Sequence, residues 1–296
     1  MCGVIMNSYS ETRRLSYSAS TRAARFRRFK TTGREVMKHL VIAILMMAIL
    51  PVQAAIQGSE VDYHADGTTL KGYLAYDDSI KGRRPGVLVV HEWWGHNEYA
   101  RKRATMLAEL GYVALAVDMY GDGRQAMHPK EAQEFSSEIA SNIKLSKARF
   151  LAALQVLKNS AHVDKSRIAA IGYCFGGGVA LQMAREGIDL NGVVSFHGDL
   201  TTKSPAGPGA VKARILVATG GADPFVPPDR VADFIKEMNN AGADYRVIVY
   251  SGAMHSFTNP MADQFGKKFN LPLQYNKQAD QASWAAMQRF FENIFK

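Results

Sequence analysis

Four apolar residues, Ile168 to Ile171, run without a break into Gly172-Tyr173-Cys174-Phe175-Gly176. Small and apolar residues then recur at helical spacing, at Val179, Ala180, Met183 and Ala184. A strand, a sharp turn and a helix in so short a stretch require a sheet with a helix folded back onto it. The glycines two before and two after Cys174 let strand and helix pass closely while the residue between them takes a strained conformation. G-x-C-x-G at such a turn follows the logic of a nucleophile elbow, with cysteine where serine is usual. The thiol would stand above the sheet at a helix N-terminus, whose dipole favours a thiolate. The competing reading is a buried, inert cysteine in a glycine-rich turn, since free cysteine is among the most buried residue types.

The chain around this turn alternates in the same sense. Val61–His64 and Thr69–Ala75 alternate polar and apolar residues about Ala65-Asp66-Gly67-Thr68, which predicts a hairpin. Pro85–His91 is a continuous apolar run, as expected of a strand covered on both faces, and Tyr112–Asp118 is another. Further strands are predicted at Arg167–Tyr173, Gly192–Phe196, Arg214–Thr219 and Tyr245–Tyr250. Helices are predicted at Tyr99–Leu110, Ile139–Leu157, Pro227–Ala241 and Lys277–Phe295. A leading antiparallel hairpin followed by β-α alternation indicates an α/β fold with one doubly wound, mostly parallel sheet. The 296 residues contain no repeat, low-complexity tract or long linker, so one domain over 58–296 is expected.

The net charge of +9 would suit a nucleic-acid binder were it spread over the chain, but residues 1–54 carry +7 of it. The basicity belongs to the leader, and nucleic acid is not expected as a partner. Within that leader, Met37 to Ala54 has a basic start, the apolar run Leu40–Leu50 and a small-residue end at Val52-Gln53-Ala54. The run is short for a bilayer span, so 37–54 reads as a secretory signal peptide and 1–36 as an upstream extension preceding the true start. A mitochondrial transit peptide is the alternative for the Arg/Ser-rich segment, and an uncleaved leader would be an anchor. The expected location is periplasmic or secreted, with no stable membrane association after cleavage. Of the two cysteines, Cys2 lies in the leader, which leaves Cys174 alone in the processed chain. No disulfide is then available, and a redox sensor would lack its resolving thiol.

In a doubly wound sheet, functional side chains sit just past the C-terminal ends of strands. Arg214-Ile-Leu-Val-Ala-Thr-Gly-Gly-Ala-Asp223 places Asp223 at one such end. Tyr245-Arg-Val-Ile-Val-Tyr-Ser-Gly-Ala-Met-His255 places His255 at another. The order Cys, Asp, His is that of hydrolases built on a nucleophile elbow. A thiol needs a base, and the imidazole needs a carboxylate to fix its tautomer and stabilise its charged form. Taken singly, Asp223 reads equally as an Asx-turn or helix cap before Pro227, and His255 as a loop histidine satisfied by backbone. A second oxyanion donor, beside the Phe175 amide, is expected from the loop after the third strand.

Gly-Tyr-Cys-Phe-Gly-Gly, Gly-Gly-Ala-Asp-Pro-Phe-Val-Pro, Gly-Ala-Met-His-Ser-Phe and His91-Glu92-Trp93-Trp94-Gly95-His96-Asn97 together resemble the dienelactone hydrolase family (carboxymethylenebutenolidases) of the α/β-hydrolase fold. The resemblance covers about residues 58–296. It implies that Glu92 contacts the resting thiol and tunes it, and that the Trp93 amide is the second oxyanion donor. The arginines with which family members hold the dienelactone carboxylate are not matched. One of those positions is Asn259 here, and Arg124 is the substitute considered; both are tentative substrate-binding residues. His91, Glu92 and His96 lack H-E-x-x-H spacing, and Gly95 breaks the helix such a zinc site requires, so no metal and no cofactor are expected.

The resulting expectation is an exported, monomeric hydrolase of a small ester or lactone, acting through a thioester on Cys174 with His255, Asp223 and Glu92. A lipase- or peptidase-like hydrolase of the same fold, and an exported binding protein without catalysis, are the alternatives.

Overall fold

The computed structural model describes residues 56–296. The extension 1–36, the signal segment 37–54 and Cys2 lie outside the described residues.

Strands β1 (Ile56–Ala65) and β2 (Thr68–Asp77) form the leading hairpin, paired throughout from Ile56↔Asp77 to Ala65↔Thr68. Asp66 and Gly67 turn with φ of 51° and 75°, the two positive angles that a two-residue hairpin turn matched to strand twist needs. Six further strands follow: β3 (Arg84–Val90), β4 (Val113–Val117), β5 (Val163–Tyr173), β6 (Gly192–Phe196), β7 (Arg214–Gly220) and β8 (Tyr245–Tyr250). The eight-stranded sheet has the order β1-β2-β4-β3-β5-β6-β7-β8. The β2–β4 pairing is antiparallel and every pairing from β4 to β8 is parallel. All six parallel strands therefore end at one edge.

The described residues form seven helices: α1 (Glu98–Glu109), α2 (Pro129–Ser141), α3 (Ile143–Asn159), α4 (Phe175–Arg185), α5 (Pro228–Ala241), α6 (Ala262–Phe269) and α7 (Lys277–Ile294). Alternation along the central strands divides the core. Leu88 and Val90 face one side with Leu115, Ile168 and Val193, under α3, α4 and α5 through Phe150, Leu157, Met183 and Phe234. Val87 and Val89 face the other with Ala114, Ile171 and Leu216, under α1 and α7 through Leu107, Met287 and Phe291. Cover on both faces is why these strands are uninterrupted apolar runs.

Three boundaries differ from the sequence reading. The helix predicted over 139–157 is two helices, because Asn142 ends α2 and its Oδ1 accepts the Leu145 amide to start α3. Helix α6 was not anticipated. Its Gly266 looks like a breaker, but a Cβ there would lie 2.6 Å from the Leu273 carbonyl oxygen, so close packing requires the glycine. Strands β1 and β5 begin at Ile56 and Val163, earlier than the expected Val61 and Arg167. No described helix is long and apolar enough to cross a membrane.

Candidate active site

At the end of β5 the chain turns on Cys174, whose φ of 52° and ψ of −118° are costly for a residue with a side chain. The flanking glycines are enforced by space. A Cβ on Gly172 would lie 2.0 Å from the Gly176 carbonyl oxygen, and one on Gly176 would lie 2.4 Å from that of Val90. The turn is held from within, the Gly177 and Gly178 amides donating to the Cys174 carbonyl at 3.0 and 3.2 Å. It is also held from outside, the Cys174 amide donating to the Phe196 carbonyl at 3.0 Å and to His197 Nδ1 at 3.1 Å.

The structure brings Cys174, His255 and Asp223 together. His255 Nε2 lies 3.1 Å from Cys174 Sγ, and His255 Nδ1 lies 2.8 Å from Asp223 Oδ2. The other oxygen, Asp223 Oδ1, accepts the Phe225 amide at 2.8 Å. The Asx-turn and the histidine partner are therefore both realised in one carboxylate. Burial works against a charged imidazole at His255. The Cys174 sulfur and Asp223 outweigh that and push its pKa up to about 10. The charged form of His255 is thus the favoured one, set between the Cys174 sulfur and the Asp223 carboxylate.

The loop after β3 sets the facing wall. Met119 donates its amide to His91 Nε2 at 3.2 Å, so the ring proton is on Nδ1 and donates to the Glu92 carbonyl at 2.6 Å. The Glu92 carbonyl also accepts the Gly95 amide, closing the turn Glu92–Gly95, and Tyr120 donates its hydroxyl to the Trp93 carbonyl at 3.0 Å. The Trp93 amide thus lies inside a turn braced at both ends. The Phe175 amide is the first of α4, among those with no intrahelical acceptor.

Glu92 is buried, and its carboxyl does not meet the thiol. Ser256 Oγ donates to its Oε1 at 3.0 Å and Asn259 Nδ2 to its Oε2 at 2.6 Å. Burial raises its pKa against the pull of those two donors. Asn259, considered as a substrate contact, is 2% exposed and spends its amide on Glu92. Arg124, the other candidate contact, folds back to donate to the Tyr120 carbonyl, lies over the Phe135 ring at 4.6 Å and pairs with Glu138. Asn259 is thus turned away from a ligand, while Arg124, with its side chain 37% exposed, is occupied by these internal partners. Trp94 is core, packed on Phe265 and Phe269. Among the described residues no group of three or more His, Cys, Asp or Glu is placed to hold a metal ion.

Sequence reasoning missed a buried cluster behind the histidine. His197 Nε2 lies 2.7 Å from Thr258 Oγ1, which lies 2.7 Å from Tyr99 Oη. Arg103, 3% exposed in the middle of α1, donates from Nη2 to the Thr258 carbonyl and to Asp280 Oδ1, each at 2.6 Å. The one available signal was that His197 follows directly on a buried strand, β6.

The dienelactone hydrolase family model matches residues 70–295. Protein usf of Aquifex pyrophilus is 32% identical over 209 residues, 68% of this chain and 87% of that protein. Among solved structures, a dienelactone hydrolase-like promiscuous phosphotriesterase from metagenomic libraries superposes with a TM-score of 0.77 at 34% identity, covering 82% of this chain and 99% of the other. A structure named m3DLH gives a TM-score of 0.78 at 36% identity, covering 82% and 100%. Fold, strand-end placement of the reactive side chains and these likenesses agree: the chain belongs to the dienelactone hydrolase family, ester and lactone hydrolases of the α/β-hydrolase fold.

Proposed function

We propose that this chain is an exported thiol hydrolase that opens a small, uncharged ester or lactone through a thioester on Cys174. The observation that carries the reading is the unbroken line of contacts from Asp223 through His255 to Cys174 Sγ, at 2.8 and 3.1 Å. The thiolate sulfur attacks the carbonyl carbon, forming an S–C bond and pushing charge onto the oxygen. The Trp93 and Phe175 amides receive that oxyanion. The tetrahedral adduct collapses with cleavage of the C–O bond, and His255 gives its Nε2 proton to the leaving alkoxide. The imidazole then takes a proton from water, whose oxygen attacks the thioester. Acid and thiol are released, and Asp223 holds the ring in register throughout.

Glu92 makes its contacts away from the sulfur in this arrangement. With its carboxyl held by Ser256 and Asn259, the partner of the sulfur is His255. An uncharged substrate follows from the cations: Arg103 is sealed in the interior and Arg124 is engaged by Tyr120 and Glu138. Phe225, 52% exposed and edge-on to His255 at 4.9 Å, supplies apolar contact instead. Export through cleavage after Ala54, and action as a monomer free of the membrane, complete the reading.

The test is hydrolysis of p-nitrophenyl acetate and a panel of enol-lactones by protein starting at Ala55. Turnover lost in Cys174→Ala, with the fold retained by circular dichroism, supports the thiol mechanism. Turnover that survives that substitution sinks it.

A further inference from the structure

His197 makes no contact with the thiol, yet it lies where the nucleophile turn meets the histidine loop. We propose that His197 is a positioning residue that fastens Cys174 to the loop carrying His255, a role resting on the thiol-hydrolase reading above. The hydrogen bonds allow one arrangement of its proton. A backbone amide can only donate, so the Cys174 amide at 3.1 Å requires Nδ1 to be a bare acceptor. The proton is then on Nε2, which donates to Thr258 Oγ1 at 2.7 Å. Thr258 is gripped at its hydroxyl by Tyr99 and at its carbonyl by Arg103. The ring therefore ties the central residue of the elbow to a residue three positions past the general base.

Two further observations indicate that this tie works under load. Cys174, His197 and Ser256 have φ of 52°, 41° and 57°, three side-chain-bearing residues in the left-handed region brought together at one site. Such conformations persist only where the surroundings over-determine them. His197 also sits ring to ring with His255 at 5.3 Å, and burial, His255 and Arg103 hold its pKa well below the ordinary value. It stays neutral, so it adds no second cation to compete for the thiolate.

A packing role and a positioning role make opposite demands on the side chain. Phenylalanine keeps a ring between Tyr173 and Phe257 but has no polar atom; asparagine loses the ring but keeps an acceptor for the Cys174 amide and a donor. Turnover of p-nitrophenyl acetate is measured for wild type, Cys174→Ala, His197→Phe, His197→Asn and Thr258→Val. In His197→Phe, kcat is expected to fall about 10²-fold with KM nearly unchanged, the pattern of a misplaced reactive group. His197→Asn is expected to regain about tenfold of that loss, and Thr258→Val, which removes the Nε2 acceptor, to lose about tenfold. Wild-type kcat in His197→Phe, or more activity in it than in His197→Asn, overturns the proposal. If both His197 variants fail to fold, an undiminished kcat in Thr258→Val overturns it. These failures leave the hydrolase reading standing while Cys174→Ala is inactive. Absent wild-type turnover, or turnover surviving Cys174→Ala, overturns that reading and this proposal with it.

Discussion

At their N-terminal ends, β5, β6 and β7 border an open hollow of about 390 Å³ lined by Lys165, Asp189, Lys212 and Arg214 among others. At their C-terminal ends the same three strands deliver Cys174, His197 and the Asp223 loop. Both ends are rich in ionisable groups, but they hold them differently. The N-terminal charges stay in solvent. Arg214 pairs with Asp244 while both side chains are more than half exposed, and Asp164 is drawn down to a pKa of about 2 by its local turn with Ser166 and Arg167. The C-terminal charges are buried, with Arg103 and Asp223 each under 5% exposed. Exposed pairs are screened and contribute little, whereas a buried charge that loses its partner is costly. One end of the sheet can therefore drift in sequence while the other is constrained side chain by side chain.

Asp223→Asn should sharpen this contrast most. The amide keeps the turn to Phe225 but turns an N–H toward His255 Nδ1 and imposes the wrong tautomer, so kcat should fall about 10⁴-fold. Stopped-assay kinetics on p-nitrophenyl acetate would show it, and a loss under tenfold would break the comparison. Arg103→Met comes next. It leaves Asp280 and the Thr258 carbonyl without their donor and should cost about 3–5 kcal/mol in urea unfolding. A third effect appears in pH. The folded pKa of His255, about 10, lies above its ordinary 6.5, so its stabilisation is complete below pH 6.5 and lost as pH rises through 10. Thermal melts across that window should decline for wild type and decline less for Cys174→Ala, which lacks the sulfur that raises the pKa. Phe225→Ala should act mainly on KM for aromatic esters, by about 1 kcal/mol of binding, with kcat little changed. Smallest of all, Arg214→Ala at the other end of β7 should shift unfolding by less than about 0.5 kcal/mol and leave kinetics alone.

What could be read from the sequence was local. The elbow announces itself because its two glycines are needed within four residues of each other. Asp223 and His255 are visible because each lies on the loop just past the C-terminal end of a strand that can be read from the sequence. The surrounding contacts were not legible, because they join positions far apart. Tyr99 meets Thr258 across 159 positions, Arg103 meets it across 155, and His197 across 61. No spacing rule connects such pairs; only the meeting of α1 and the end of β6 with the loop after β8 does. Asn259 was misplaced for a related reason. Its match to a family carboxylate-binding position suggested a ligand contact, but its amide donates inward to Glu92. Asn142 deceived in the other direction, since one polar residue inside a helical pattern proved to be a boundary between two helices.

The two oxygens of Asp223 carry a consequence for how this enzyme could be retuned. One orients the catalytic imidazole and the other folds the turn that sets Phe225 at the mouth. On the proposed mechanism, reactivity and selectivity would hang on a single side chain, so neither could be adjusted by editing this loop without disturbing the other. A lineage seeking a new substrate would find freer ground away from this loop, at exposed side chains such as Met127.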